Sequence, residues 1–322
     1  MKLRFVLLLL AVCIPRLAAG QAAMPPETRN AALRYWLALA ELQDPPADQG
    51  TQQLLEKTAA GLIPWDESRL GPILDSNEAA ILAMHRATKL PECDWGLEYN
   101  RGPRASIAYA PRARVLARLN TLYGMRLAAK GESQQAVEAW LDGLQFSQHM
   151  AKGGTLIFSL IAKMSIISNL TALQHAALQG QLNAEQGMQA AAVVKAMPES
   201  GLDWGSALAY EEQTIEIALN ELKADREPRD YFEKVIGHAA PADFALPTSS
   251  ELASFRSLMG KAESALREPP EQASTNLTAL QEREKSLHIF FREIAPGFTN
   301  INKARLDIAV SRRTLLGILR TK

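Results

Sequence analysis

Apolar residues return at the spacing of one helix face along almost the whole chain. Over residues 27–43 they fall at Ala31, Leu33, Trp36, Leu37, Ala40 and Leu42, a broad stripe that Asp44, Pro45 and Pro46 end. A second run over 47–60 stops at Gly61. Ser76 reads as the N-cap of a helix over 77–89, with Ala80, Ile81 and Met84 on one side and Pro91 closing it. Residues 92–104 hold Cys93, Trp95, Tyr99, Gly102 and Pro103 and keep no period, which makes them the most irregular stretch of the folded part.

The middle of the chain is the clearest. Pro111 opens a helix to residue 130, Gly131 breaks it, and a return helix over 132–151 ends at Lys152, Gly153 and Gly154. Two helices of about twenty residues joined by so short a turn are expected to pack antiparallel. Further helices are predicted over 155–179, 183–197 and 201–225. Residues 228–249, divided by Gly237, Pro241 and Pro247, read as a short helical piece and a loop that together form an exposed lid or elbow. Helices follow over 250–266, 270–293 and 300–320. No stretch alternates with period two for long enough to make a strand. The expected fold is therefore all-α, with antiparallel helical hairpins stacked in an array or an irregular right-handed superhelix, in one domain over 21–322.

Gly124, Gly131, Ala136, Trp140 and Gly143 have a mutual spacing that resembles a tetratricopeptide (TPR) unit over the hairpin 111–151. In that family small residues let the two helices approach and a bulky one fills the gap to the next pair. The match covers about 34 residues. Asn120 stands where the family prefers tryptophan, and Gln148 where it prefers proline. One repeat length away in either direction, Leu90 and Phe158 replace the glycine, so no tandem repeat is legible. More broadly, the order of Cys93, Trp95 and Tyr99, the hairpin, and the run Gly153 to Ile157 resembles uncharacterised exported helical proteins of acidobacteria and planctomycetes. That resemblance implies export and a helical fold and brings no activity with it.

Composition fits a folded protein: 47% of the 322 residues are hydrophobic and 22% charged. Lys2 and Arg4, the apolar run from Phe5 to Ile14, and the small residues Ala18, Ala19 and Gly20 read as a signal peptide over 1–20. Cys13 offers a lipoprotein alternative, which Val12 before it disfavours. The whole chain balances 35 basic against 35 acidic residues. Losing Lys2, Arg4 and Arg16 leaves the mature part weakly acidic, with no electrostatic case for nucleic acid. Cys93 is then the lone cysteine, read as a small buried hydrophobe.

Candidate chemistry is sparse. His85, His149, His175, His238 and His288 form no local zinc-binding pair. Glu284 and His288, four apart on one predicted helix, could share a face but read as solvated. Glu211, Glu212 and Glu216 offer carboxylates on one helix, where a repelling surface pair is the plainer reading. The apolar run from Leu156 to Ile167 reads as a central buried helix, given Lys163 and Asn169 within or beside it. Toward the C-terminus Lys303, Arg305, Arg312, Arg313, Arg320 and Lys322 oppose Ile308, Leu315, Leu316 and Leu319. That pattern suits a terminal helix packed on the body with a basic outer side, or peripheral contact with anionic lipid.

The expected function is an exported binding or assembly module of the cell envelope with a protein partner. It has no legible catalytic residue, metal or cofactor. A membrane-surface accessory protein and an enzyme with a non-local site are the alternatives. If a groove exists, Trp95, Tyr99, Trp204, Tyr210 and Glu212 are the residues expected to line it.

Overall fold

The structure is a computed structural model that describes residues 28–321. The signal segment 1–20 and the alternative at Cys13 lie outside the described residues. Among those residues there are fourteen α-helices and no strand, only an isolated bridge between Asn30 and Glu92. The first half comprises α1 (Ala31–Glu41), α2 (Gln49–Ala59), α3 (Glu67–Asp75), α4 (Glu78–Thr88), α5 (Tyr109–Ala129), α6 (Ser133–Ala151) and α7 (Leu156–Leu178). The second comprises α8 (Ala184–Ala196), α9 (Trp204–Ala224), α10 (Pro228–Ile236), α11 (Ser249–Arg267), α12 (Pro270–Glu284), α13 (Ile289–Ile294) and α14 (Phe298–Arg320). A 3-10 segment, Tyr99–Arg104, interrupted at Gly102, occupies the stretch without period.

Local chemistry sets most boundaries. Asn183 with Gln186 and Thr248 with Glu251 form capping boxes that start α8 and α11. Asp203 accepts from the Ser206 amide at the start of α9. Gly131, at φ +81°, turns the chain between α5 and α6 in a conformation that a β-carbon would strain.

Three boundaries differ from the sequence reading. Helix α3 lies in a stretch for which no helix was predicted and carries Pro72 inside it; Asp66 starts it by accepting from the Ser68 and Arg69 amides. Ser76 ends α3 and does not open α4. Asn77 takes that place, its carboxamide accepting from the Gln43 amide and donating to the Ile73 carbonyl. The helix predicted over 270–293 is broken after Glu284, and His288 caps α13 by accepting from the Phe290 amide. Glu284 and His288 are therefore not neighbours on one helical face.

Helix α7 sits at the centre, packed on α5, α6, α9 and α14. It is the one helix among the described residues apolar and long enough to cross a membrane, and 56% of its apolar window is buried inside the protein. Lys163 reaches out of it to Asp307 at 2.7 Å. The buried apolar side chains form one continuous cluster from Ala31 to Leu316. Two glycines set the approach of α5, α6 and α7. A β-carbon at Gly124 would collide with Trp140, and one at Gly143 with the carboxamides of Asn120 and Asn169. Along that seam Thr121 donates to Asn169 Oδ1 and Ser147 to Ser165 Oγ, so these four buried side chains are partnered. Residues 228–249 are pinned and not a free elbow, because Phe232 is fully buried against Phe244 and Phe290.

Candidate functional site

The five residues expected in a groove are divided by the structure. Trp95 is stacked on Tyr109, ring centroids 4.0 Å apart and 4° from parallel, and its indole N–H donates to the His149 carbonyl at 2.8 Å. Trp204 is 1% exposed and donates to the Ser200 carbonyl at 2.9 Å. Both indoles are core groups with their polar handle already used. Tyr99 and Tyr210 do meet, stacked at 4.6 Å, and both are half-buried. Glu212 lies apart from them on α9. Burial first, and then the charges of Glu216 and Glu263, push its carboxyl up, while Glu216 itself is held by Arg256.

Tyr210 lines a cleft of about 500 Å³ between the turn joining α6 to α7 and the connection joining α8 to α9. Its polar lining comes from Gln145, Gln148 and His149 on α6 and from Ser206 on α9. The backbone of Gly153, Gly154 and Gly201 forms part of the walls. Lys152 and Asp203 are the charged residues of the lining, one of each sign. The same Asp203 starts α9, accepting from the Ser206 hydroxyl at 2.7 Å and amide at 3.0 Å.

His149 joins this cleft to the aromatic cluster behind it. Gln145 donates its amide N–H to Nε2 across 2.7 Å, so the ring proton sits on Nδ1 and goes to Tyr35 Oη at 2.8 Å. Burial, with the Lys152 ammonium adding to it, lowers the imidazole to about 4. It is a neutral, fixed hydrogen-bonding group at ordinary pH. Glu211 does other work on the neighbouring element. It accepts from the Leu156 amide at the start of α7, and burial raises its carboxyl.

Sequence reasoning missed His149, Gln145 and Tyr35 as a unit because they come from α1 and α6. The only local signal is the four-residue spacing of Gln145 and His149. Cys93 is free and buried beside them, its thiol pushed up to about 12 by burial, which suits packing and not nucleophilic attack. Among the described residues no group of three His, Cys, Asp or Glu side chains could hold a metal ion.

The basic helix α14 is largely committed inward. Arg305 is 1% exposed and donates to the Glu268 carbonyl and to Asn302 Oδ1. Arg312 donates to the Val194 and Lys195 carbonyls at the end of α8, and Arg313 pairs with Glu271. Ile308 and Leu315 are fully buried against the body. Arg305 and the apolar face are thus withdrawn from the membrane contact that was the alternative for this helix, and Lys303, Arg313 and Arg320 are its exposed basic residues. Compared with known proteins, the chain matches no family model, no curated protein and no solved structure.

Proposed function

We propose that the chain is an exported helical binding module of the cell envelope, built around a TPR-like hairpin of α5 and α6. In this reading the cleft at His149 is where it takes a small ligand of no net charge. The observation that carries the reading is the lining. Amides, hydroxyls, glycine backbone and a neutral imidazole are gathered there with one cation and one anion, Lys152 and Asp203. With both nitrogens of His149 already bonded inside the protein, the hydrogen bonds for a ligand come from Gln148, the glycine backbone, Lys152 and Asp203, with no excess charge, which suits a zwitterion or a short peptide and disfavours a polyanion. A general base is missing from this account because an imidazole held at about 4 is a weak proton acceptor at neutral pH.

The test is isothermal calorimetry with triglycine as the zwitterionic probe, against acetate and methylammonium as single-charge controls. Gln148 is half-buried in the cleft, and Gln148→Trp fills the space. Binding of triglycine that vanishes in Gln148→Trp, with an unchanged circular dichroism spectrum, supports the reading. Equal binding in both proteins, or preference for acetate alone, contradicts it.

A further inference from the structure

A second pocket, of about 370 Å³, opens on another face where α4 packs against α5 and α6; its charged lining is Glu132, Glu138 and Asp142 against Arg86 and Lys89, one negative charge in excess. Its key group is His85, whose tautomer the surrounding hydrogen bonds fix. Asn120 is fully buried and donates its amide N–H to the Ala139 carbonyl at 2.8 Å, which leaves Oδ1 facing His85 Nε2 at 2.6 Å. An amide oxygen can only accept, so the ring proton is on Nε2. Nδ1 therefore carries a lone pair, and it makes no hydrogen bond to any described residue. Burial holds the ring below its ordinary value, so this lone pair persists at neutral pH.

Asp142 and Glu138 on α6 act on the imidazole, Glu132 just before that helix lines the pocket further off, and the Tyr123 ring centroid is 5.9 Å from that of His85. Asp142 already receives the Lys89 ammonium at 2.6 Å and the Thr88 hydroxyl at 2.8 Å through the same oxygen. Lys89 belongs to the same wall and neutralises Asp142, which leaves Glu138 and Glu132 as the carboxylates of the lining without a lysine or arginine partner among the described residues. A metal ion is a poor alternative, since no three donor side chains converge here.

We infer that the pocket at His85 is a binding site, separate from the His149 cleft, for a small ligand bearing a protonated primary amine. In that complex an ammonium N–H donates to His85 Nδ1, a second to the Glu138 carboxylate, and the Tyr123 face borders the cation.

The experiment follows the His85 ring nitrogens by NMR in protein carrying ¹⁵N-histidine, titrated with n-butylammonium. Tetramethylammonium, which cannot donate a hydrogen bond, and Zn²⁺ run alongside, and Gln148→Trp protein is titrated as well so that the other cleft plays no part. The expected result is a saturable shift of Nδ1 with n-butylammonium, little change with tetramethylammonium, and binding weakened on the order of tenfold in Glu138→Gln. Glu138 is exposed, so that replacement leaves the fold in place. No saturable shift, equal shifts with both amines, or a response to Zn²⁺ alone overturns the proposal.

Discussion

Single residues show how burial reshapes chemistry that composition alone leaves ordinary. His149 binds its proton less readily when folded, so between about pH 6.5 and 4 the unfolded chain takes up a proton that the folded chain does not. Its contribution is present above that window and is lost as pH falls through it. Glu284 behaves in the opposite sense. Burial raises its carboxyl to about 7, so its contribution is present below the unfolded value and is lost as pH rises toward 7. Glu284→Gln, which keeps the size of the side chain, is therefore expected to raise stability at pH 8 by about 1–2 kcal/mol and to change it little at pH 4. Urea unfolding at the two pH values reads this directly. Tyr35→Phe removes the acceptor of His149 Nδ1 and is expected to cost about 1–2 kcal/mol at pH 7 in the same assay. Neither effect was legible beforehand. Glu284 looked solvated because charged residues surround it in sequence, and the partners of His149 are set by packing between elements and not by spacing.

At the scale of elements, much of the helical order was readable from period and stop residues, and the errors have a common cause. Pro72, Ser76 and His288 each have a local preference that tertiary context redirected: a proline tolerated inside α3, a serine used to end a helix, and a histidine used to start one. The basic character of α14 was legible, but its purpose was not. Arg305 and Arg312 are spent on the free carbonyls at the ends of α11 and α8. Arg305→Ala leaves Glu268 and Asn302 without that partner inside the protein and is expected to lower stability by about 2–3 kcal/mol. Lys303→Ala, on the exposed side of the same helix, should stay within about 0.5 kcal/mol. Thermal unfolding of the two variants separates inward from outward basic residues. If Lys303→Ala proves the costlier change, this division of the helix is wrong.

Across the whole molecule, the all-helical class was legible, and so was the central place of the apolar helix now seen as α7. The small residues Gly124 and Gly143 mark the contacts on which α5, α6 and α7 converge. Gly143→Val should cost about 2–3 kcal/mol by driving Asn120 and Asn169 apart. Because Asn120 also orients His85, the same change should disturb the Nε2 resonance of that ring. The candidate cleft was legible only at Tyr210, since its other walls are turns and glycines that no periodic pattern marks. That cleft is the proposed binding site for a ligand of no net charge. Calorimetric titration of triglycine into wild-type and Gln148→Trp protein is the measurement that bears on it most directly. Saturable binding to the wild type that is lost in the variant is the predicted result, and heat that is the same for both proteins would contradict it.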